Sequence, residues 1–497
     1  MPAQRLLIRA DAGERIGTGH VMRGIALAQA WQETGGEAVF ALAEGGAAIE
    51  ARLRAEGFPV IRIAAPPGSA ADAAATLRIA ANWVVLDGYH FSAAYAAAIH
   101  AERRLLVVDD WGHAGRAEAD LILNGNAYAT PDLYPDATAR LLLGTRYVPL
   151  RREFQQAIAP RATPAVGRAI LVTLGGADPE NHTVLVIDAL KRLTLPFEAR
   201  VLIGASNPHG EAVRAAAAND SRITVLERVR DMPALMNWAD VAIAGAGTTT
   251  WELCALGVPA LLAVLADNQA PVAEAVAARG AALALGRLDE QLPERIARRI
   301  EVVLRSVELR LLLAQGGRAL VDGRGAARVV REMHAVDLRL RPAEAGDCAL
   351  VYRINANPAV RRWSFSSGAI AWEDHCRWFA DKLADPRCLL FVAEAGGEAV
   401  GVLRYDLVGD EATVSIAIDP AWQGRGYGTA MLRAGSVALA GRAGLVRAVI
   451  KPDNAASIRA FASAGYRPET DTTVNGERAL LMIQRLDPVG AACGARS

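Results

Sequence analysis

The sequence predicts an α/β protein in which two parallel-sheet halves are followed by a smaller α+β domain. From residue 6 to about 150, short apolar runs alternate with helical stretches, as in a doubly wound sheet. The alternation resumes at residue 169, after a proline-bearing linker at residues 159–164. Beyond residue 336 the strands instead follow one another at hairpin spacing. The expected domains are residues 1–158, 165–335 and 337–487, and residues 488–497 are expected to be a disordered tail.

Composition argues against several classes of protein. Lys plus Arg and Asp plus Glu each number 54, so no net field attracts nucleic acid or anionic lipid. No apolar run approaches the roughly 18 residues of a membrane span, and the first residues lack the apolar core of a signal peptide. The five cysteines include no C-x-x-C pair, so neither a disulfide framework nor a metal site is expected. We therefore expect a reduced, cytoplasmic protein that binds neither nucleic acid nor membrane.

A G-T-G-H turn at residues 17–20 joins the first predicted strand to a helix. The free amides and the dipole at a helix start favour an anion. The same positive end disfavours an imidazolium, so we expect His20 to be neutral and able to take a proton from water. Its alternative role is that of an N-cap without catalytic function. A base beside an anion site indicates chemistry on a phosphorylated substrate.

Two predicted strands of the first half end in aspartate, at Asp87 and Asp109. Open α/β sheets bind ligands at the carboxyl ends of their strands. These carboxylates are therefore candidates for a site, although each could equally cap the turn that follows it.

A second glycine-rich turn, G-A-G-T-T-T-W-E, occupies residues 245–252 directly after a strand of the second half. Small residues let backbone amides approach a diphosphate closely, and Thr248 and Thr249 can add hydroxyl donors. Glu252 lies about one helical turn further on, where a carboxylate can accept both hydroxyls of a ribose. A purely structural turn also favours small residues, but it requires neither the threonines nor the glutamate.

These motifs resemble those of known nucleotide-sugar enzymes. The second turn, with L-G-V-P at 256–259 and N-Q at 268–269, is similar to GT-B-type enzymes such as the glycosyltransferase that makes lipid II. Together with R-A-D at 9–11, I-G-T-G-H-x-x-R at 16–23 and G-G-A-D-P-x-N at 175–181, it resembles the UDP-2,4-diacetamido-2,4,6-trideoxy-β-L-altropyranose hydrolases of pseudaminic acid biosynthesis. The resemblance covers residues 5–335.

That resemblance implies a GT-B-like pair of Rossmann-type domains that hydrolyses a UDP-sugar to UDP and the free sugar. It implies that His20 is the catalytic residue that activates water, and that no metal takes part. The residues that it places at the substrate are Arg9, Asp11, Gly17, Gly19, Asn181, Gly247, Thr248, Thr249, Glu252 and Asn268.

The third block contains a Q-G-R-G-Y-G turn at residues 423–428 between a strand and a helix. Successive amides at such a helix start can hold a pyrophosphate. With K-P-D-N-A-A-S at 451–457 and F-A-S-A-G-Y at 461–466, residues 338–487 resemble GCN5-related N-acetyltransferases (GNAT), which implies acetyl-CoA as cosubstrate. The residues that this places at acetyl-CoA are Gln423, Gly424, Arg425, Gly426, Tyr427, Gly428, Asn454 and Ser457.

The acid and the base of this acetyltransferase are less clear from the sequence. Many members of the family carry a tyrosine where this chain has Phe461, and Tyr466 is the nearest substitute for the acid that protonates the leaving thiolate. The candidates for the general base are Glu394, Glu411 and Ser415, and each could instead be structural.

The amino-terminal part of this block suggests the acetyl acceptor. R-I-N-A-N-P at 353–358, V-R-R-W at 360–363 and H-C-R-W-F at 375–379 resemble acetyltransferases that modify UDP-4-amino-4,6-dideoxy-N-acetyl-β-L-altrosamine. We therefore expect a bifunctional enzyme that acetylates a UDP-4-amino sugar and hydrolyses the UDP-diacetamido product. The alternatives are a glycosyltransferase fused to an acetyltransferase, and a nucleotide-sugar sensor without catalytic activity.

Overall fold

The computed structural model describes residues 4–13, 16–114, 117–176, 178–204, 207–227, 229–366 and 368–486. The expected tail at residues 488–497 lies outside these ranges. The chain divides into two compact units, Met1–Val330 and Arg331–Ser497. This boundary falls inside the helix Gly325–Val336, a few residues before the expected domain end at residue 335. None of the helices in the described ranges is long and apolar enough to cross a bilayer.

The first sheet has seven described strands, all parallel, in the order β3-β2-β1-β4-β5-β6-β7. Its inner strands β1, β2, β4, β5 and β6 are short apolar runs that are almost entirely buried, as the alternating pattern predicts, whereas the edge strands β3 and β7 are partly exposed. The order reverses between β1 and β4, which opens a crevice at their carboxyl ends. The elements are β1 (Arg5–Ala10), α1 (Gly19–Glu33), β2 (Glu37–Leu42), α2 (Ala47–Ala55), β3 (Val60–Arg62), α3 (Ala70–Leu77), β4 (Trp83–Asp87), α4 (Ala93–His100), β5 (Arg104–Val108), β6 (Leu121–Asn124), β7 (Arg140–Leu143) and α5 (Arg152–Ala157).

The second sheet repeats this architecture with six described parallel strands, in the order β10-β9-β8-β11-β12-β13. Here the order reverses between β8 and β11, so the loops that follow these two strands share one crevice. The elements are β8 (Ala169–Thr173), α6 (His182–Lys191), β9 (Glu198–Leu202), α7 (Gly210–Ala217), β10 (Ile223–Leu226), α8 (Met232–Trp238), β11 (Val241–Gly245), α9 (Thr249–Leu256), β12 (Ala260–Val264), α10 (Ala270–Ala278), β13 (Leu283–Arg287), α11 (Pro293–Arg305), α12 (Val307–Leu320) and α13 (Gly325–Val336).

The second unit contains a mixed sheet in the order β14-β15-β16-β17-β18-β20-β19. Among its described strands only β17 and β18 pair in parallel, and their ladder covers just residues 411–413 against 445–447. Both strands continue beyond this ladder, so an opening forms between them. The elements are β14 (Leu338–Pro342), α14 (Cys348–Asn355), α15 (Pro358–Arg361), α16 (Trp372–Ala384), β15 (Cys388–Ala395), β16 (Glu398–Val408), β17 (Glu411–Ile418), α17 (Tyr427–Ala438), β18 (Leu445–Ile450), α18 (Ala455–Ser463), β19 (Arg467–Val474) and β20 (Glu477–Arg485).

Candidate active sites

A buried histidine and aspartate meet in the crevice of the first sheet. His20 is the second residue of α1 and Asp87 is the last residue of β4. His20 Nδ1 lies 2.6 Å from Asp87 Oδ1. Arg23 Nη2 lies 3.0 Å from the same nitrogen, but its two hydrogens have carboxylate acceptors in Asp87 and Asp110. Because an ionised carboxylate only accepts hydrogen bonds, we assign the ring proton to Nδ1, which leaves the lone pair on Nε2. The pair has the geometry of a general base oriented by a carboxylate.

Close packing of α1 on the sheet fixes the position of this histidine. A Cβ atom on Gly24 would lie 2.8 Å from Ile8 Cγ2, so only glycine lets the helix approach β1 this closely. The same helix carries Arg23, whose Nε and Nη2 donate to Asp87 at 3.0 and 2.8 Å. Asp87 therefore orients His20, whereas Asp109 accepts the amides of the following turn and acts as its cap.

Arg23 joins Asp87 to a second carboxylate that the sequence analysis did not identify, Asp110. Arg23 Nη1 donates to Asp110 Oδ1 at 2.6 Å, and the hydroxyl of Tyr89 donates to Asp110 Oδ2 at 2.7 Å. Burial disfavours the charge on Arg23, but Asp110 and Asp87 raise its pKa well above its ordinary value. Burial and the neighbouring Asp110 also raise the pKa of Tyr89, so its hydroxyl stays protonated and remains a donor.

The helix start behind His20 is open to an anion. The side chain of Thr18 does not cap α1, and the amides of its first turn, residues 19–21, have no acceptor within the helix. The amide of Gly17 is not free to bind the substrate as expected, because it donates to the carbonyl oxygen of Gly13 at 2.8 Å. Its φ of +71° shows that Gly17 serves the bend of the turn rather than a diphosphate.

The start of α9 lies beside the start of α1. Thr248 Cγ2 is only 3.4 Å from where a Cβ atom on Gly19 would lie. The side chain of Thr248 does not cap α9, so the amides of Thr248 and Thr249 are the donors that the helix itself leaves without an acceptor. The amide of Gly247 is instead used within the turn, where it donates to the carbonyl oxygen of Gly245 at 2.8 Å. The two helix starts thus lie side by side, and the positive end of each dipole favours an anion there.

Glu252, on the first turn of α9, lies in the cleft between the two sheets. Its Oε1 accepts from Arg151 Nη2 at 2.8 Å, so one carboxylate oxygen is already engaged. Burial raises the pKa of Glu252, and the Arg151 guanidinium opposes that shift. The expected ribose contact stays a prediction. Residues of both sheets line the cleft, among them Met22, Arg23, Asp110, Asn126, Arg151, Thr248, Trp251 and Glu252.

Arg9, expected at the substrate, is instead completely buried. Its Nε and Nη2 donate to the two oxygens of Asp72 at 3.0 and 2.7 Å, and its Nη1 lies 2.8 Å from Asp11 Oδ2. A guanidinium in this position cannot contact a ligand in the crevice. Arg9 therefore holds Asp11, which itself borders a cavity that also contains His20.

The expected residues Asn181 and Asn268 lie at the carboxyl edge of the second sheet. Asn181 precedes α6 with a φ of +58°, and its Oδ1 is buried without a hydrogen-bond partner among the described residues. Asp178, with a φ of +43°, caps α6 by accepting the amide of His182 at 2.9 Å. Left-handed backbone at two non-glycine residues is strain of the kind that is kept at functional sites. Asn268 is exposed in the turn after β12.

An aromatic cluster beside His20 was not identified from the sequence. The ring of Tyr89 meets the ring of His20 edge-on at 4.8 Å and lies 4.3 Å from Trp111. Tyr89 and Trp111 are 41% and 42% exposed, so these adjoining rings present an aromatic surface beside His20. Their position in the sequence could have identified them, because each lies two residues after an aspartate that ends a predicted strand.

In the second unit, the glycine-rich turn at residues 423–428 leads into α17. Gly424 and Gly426 have φ values of +81° and +88°, which only glycine adopts readily. The first amides of α17, from Tyr427 onward, have no acceptor within the helix. A Cβ atom on Gly428 would lie 3.0 Å from Ile418 Cδ1, so a side chain there would press on β17. Gln423 uses its side-chain amide to donate to the carbonyl oxygen of Ile418 at 3.1 Å, and the guanidinium of Arg425 lies over Trp422.

Asn454 and Ser457 form the start of α18. Asn454 Oδ1 accepts the amide of Ser457 at 3.1 Å, so this oxygen caps the helix. The side-chain group that remains for a ligand is its Nδ2. The expected contact with the pantetheine arm of acetyl-CoA stays a prediction, now restricted to that nitrogen.

Tyr466, considered as the acid of the acetyltransferase, does not lie in the opening. It is almost fully buried and packs edge-on against Phe461 at 4.9 Å within the core of the second unit. Burial raises its pKa. Its burial in this core argues against Tyr466 as the acid.

The three candidates for the general base of the acetyltransferase lie in different surroundings. Glu394 accepts from Arg341 Nε at 2.6 Å, and Glu411 accepts from Arg447 Nη2 at 2.9 Å. Glu411 also lies within the β17–β18 ladder, before the strands part. Ser415 is exposed and lies in the part of β17 beyond the ladder, so it alone of the three borders the opening.

Within the described residues, no group of three or more His, Cys, Asp or Glu side chains could hold a metal ion. That the chemistry needs no metal stays a prediction.

Two family models match parts of the chain. Residues 169–309 match the glycosyltransferase family 28 C-terminal domain, and residues 337–467 match the acetyltransferase (GNAT) domain. With the sheet orders above, these matches confirm the predicted fold, a GT-B-like pair of Rossmann-like domains followed by a GNAT-like domain. The chain thus combines a region similar to a glycosyltransferase domain with a region similar to an acetyltransferase domain.

Curated relatives match part of the chain. The spore coat polysaccharide biosynthesis protein SpsG of Bacillus subtilis (strain 168) is 34% identical over 215 residues, 42% of this chain and 63% of SpsG. The UDP-N-acetylglucosamine--N-acetylmuramyl-(pentapeptide) pyrophosphoryl-undecaprenol N-acetylglucosamine transferase of Pseudomonas paraeruginosa (strain DSM 24068 / PA7) is 32% identical over 201 residues, 38% of this chain and 54% of that enzyme. The chain thus spans between half and two thirds of the length of these relatives.

A solved structure is similar to part of the chain. The aminoglycoside acetyltransferase AAC(6')-Ib, solved with paromomycin and acetyl-CoA, is 19% identical. The match covers 30% of this chain and 93% of that protein, with a TM-score of 0.28.

Proposed function

We propose that the first unit hydrolyses a UDP-sugar at its anomeric carbon and that the second unit acetylates the amino group of a UDP-4-amino sugar. The observation that carries the first part is the carboxylate-oriented base, His20, beside two adjacent helix starts. The second part rests on the GNAT domain match, the glycine turn at α17 and the opening between β17 and β18. The product of the acetylation is then the substrate of the hydrolysis.

In the proposed hydrolysis, the diphosphate of UDP lies against the free amides of Gly19 and His20 on one side and Thr248 and Thr249 on the other. These donors and both helix dipoles stabilise the charge that develops on the departing UDP. His20 Nε2 takes a proton from water as the water oxygen bonds to the anomeric carbon. The bond between that carbon and the phosphate oxygen breaks, and its electron pair leaves with UDP. Asp87 stabilises the imidazolium that forms.

In the proposed acetylation, the pyrophosphate of acetyl-CoA lies at the start of α17 and its pantetheine arm lies between β17 and β18. The amino nitrogen of the sugar bonds to the thioester carbon, the carbon–sulfur bond breaks with its electron pair on sulfur, and the proton that the nitrogen loses ends on the thiolate of CoA. Ser415 lines this opening, where its hydroxyl can hydrogen-bond to the amine. The substrate follows from the resemblance of the motifs to acetyltransferases of pseudaminic acid biosynthesis.

A glycosyltransferase is the second candidate for the first unit, and the family 28 match and the similarity to an N-acetylglucosamine transferase favour it. Both candidates need the same UDP site and differ only in the acceptor. For the hydrolase, water is the acceptor that His20 would activate.

Incubating the full chain with UDP-2,4-diacetamido-2,4,6-trideoxy-β-L-altropyranose and no acceptor tests the hydrolase proposal. We expect UDP and the free sugar, followed by NMR, and loss of both products in His20→Asn. His100→Asn is the matched control, because His100 lies on α4 and pairs with Asp120 away from the crevice. UDP release that depends on an added sugar or lipid acceptor would establish the glycosyltransferase instead.

A further inference from the structure

A second histidine–aspartate pair faces the cavity that contains His20. The cavity is lined by both aspartates, Asp11 and Asp87, and by both histidines, His20 and His90. His90 Nε2 lies 3.1 Å from Asp11 Oδ2, much as His20 Nδ1 lies 2.6 Å from Asp87. His90 follows Tyr89, which contacts His20 directly.

We propose that His90 binds the sugar of the UDP-sugar by accepting a hydrogen bond from an acetamido N–H or a hydroxyl group. This inference rests on the proposed function of the first unit and names a specificity residue within its site. Asp11 orients His90 and does not itself contact the sugar.

The surroundings of Asp11 explain why it acts through His90. Asp11 Oδ1 accepts the amides of Ala43 and Glu44, each at 2.8 Å. Asp11 Oδ2 lies 2.8 Å from Arg9 Nη1, and Asp72 in turn fixes that guanidinium. The two amides thus occupy Oδ1, whereas Oδ2 lies between the guanidinium of Arg9 and the ring of His90. Burial opposes ionisation of Asp11, but hydrogen bonds from His90 and Arg9 lower its pKa well below the ordinary value.

An ionised Asp11 selects the tautomer of His90. Because the carboxylate can only accept, we assign the ring proton to Nε2, the nitrogen that lies 3.1 Å from Asp11 Oδ2, which leaves the lone pair on Nδ1. A Cβ atom on Gly88 would lie 2.8 Å from His90 Cε1 and 3.2 Å from its Nδ1. The glycine therefore leaves clear the edge of the ring that carries the acceptor atom, and Gly88 also lines the cavity.

The ring of His90 is fixed by packing but is only partly buried. Its ring packs against Phe91 at 4.1 Å, and its side chain is 25% exposed. A buried core histidine would have both ring nitrogens engaged within the protein. Here Nε2 lies beside Asp11 and the residue lines the cavity, as in a residue that recognises a hydrogen-bond donor on a ligand.

The test is the affinity of the full chain for two probes, UDP and UDP-2,4-diacetamido-2,4,6-trideoxy-β-L-altropyranose, measured by calorimetry with His20→Asn as background to prevent turnover. Adding His90→Phe removes the acceptor, and we expect the UDP-sugar to bind about five- to tenfold more weakly while UDP binds as before. Adding His90→Asn, whose side-chain oxygen can still accept near the Nδ1 position, should restore part of the affinity.

The assignment would be overturned if His90→Phe left the affinity for the UDP-sugar as it is in the His20→Asn background. It would also be overturned if His90→Phe weakened the binding of UDP and of the UDP-sugar equally. Comparable melting temperatures of the variants separate the expected loss from misfolding. Because the readout is binding, it does not depend on hydrolysis. If the chain proves to transfer the sugar to another acceptor, the proposed hydrolase activity fails while the role of His90 is still decided.

Discussion

His20 Nδ1 and Asp87 Oδ1 lie 2.6 Å apart although 67 residues separate them in the sequence. The contact joins the start of α1 to the end of β4, which are neighbours only because the strand order reverses at β1 and β4. Arg23, one helical turn after His20, donates to both oxygens of Asp87 and prevents the carboxylate from turning away. The base and its orienting group are therefore fixed before a substrate binds, which is the condition for efficient proton transfer.

Asp87→Asn should lower kcat for UDP release by on the order of 10²–10⁴-fold and leave KM nearly unchanged. The amide of asparagine can donate to Nδ1, which moves the ring proton to Nε2 and removes the base. Steady-state kinetics of UDP release measure the effect. Glu37→Gln is the matched control, since this carboxylate pairs with Arg5 on the surface at the amino ends of β1 and β2, away from the crevice. A kcat for Asp87→Asn close to that of the control would exclude the proposed role of Asp87.

Glu252→Ala should raise KM for the UDP-sugar by about tenfold at nearly constant kcat. A carboxylate that holds ribose hydroxyls interacts equally with ground state and transition state, and such uniform binding affects KM. Glu252→Gln should show a smaller effect, because its amide can still hydrogen-bond to the hydroxyls although it loses the ion pair with Arg151. Glu153→Gln removes the other partner of Arg151 and serves as the control. A large fall in kcat at constant KM would place Glu252 at the reacting centre instead.

Gly428→Asp should abolish acetylation and leave hydrolysis of the pre-acetylated UDP-sugar unchanged. The new side chain would press on Ile418 and add a negative charge where the pyrophosphate is expected. Release of CoA thiol and release of UDP, measured on the same preparation, follow the two activities. Gly346→Asp is the control, because a Cβ atom at Gly346 meets nothing within 4 Å. Loss of both activities in a folded Gly428→Asp protein would show that the two sites are coupled.

Tyr466→Phe should acetylate at nearly the wild-type rate. Its hydroxyl is buried in the core of the second unit, and its removal changes no group that borders the opening between β17 and β18. The rate of CoA release at saturating acetyl-CoA measures this. A fall of about 10²-fold in kcat without a loss of melting temperature would restore Tyr466 as the acid.

The sequence correctly predicted the strands and turns that depend on residues close together in the chain. Apolar runs followed by glycine-rich turns correctly located β1, β11 and β17 and the helices that begin after them. It could not predict which strand ends lie side by side, because that depends on the order of strands in the sheet. For this reason Asp87 remained one of two equivalent aspartates, and Asp110 was not recognised.

The predictions that were wrong for single residues had a cause in their local structure. Arg9 was placed at the substrate because its motif resembles one that binds a sugar, but its position on β1 points it to the buried Asp72. Gly17 and Gly247 were expected to donate their amides to a phosphate, but tight turns use their own amides to close. Glycine content therefore predicted the turns correctly and did not predict which amides remain free.

Hydrolysis in water enriched in ¹⁸O tests the central claim, that His20 directs water to the anomeric carbon, most directly. The UDP-diacetamido sugar is incubated with the full chain and no acceptor, and the released UDP is analysed by mass spectrometry. Attack at carbon breaks the carbon–oxygen bond, so we expect UDP to form without ¹⁸O in its phosphates, and no UDP to form with His20→Asn. Label in the terminal phosphate of UDP, or no release of UDP without an added acceptor, would contradict the account.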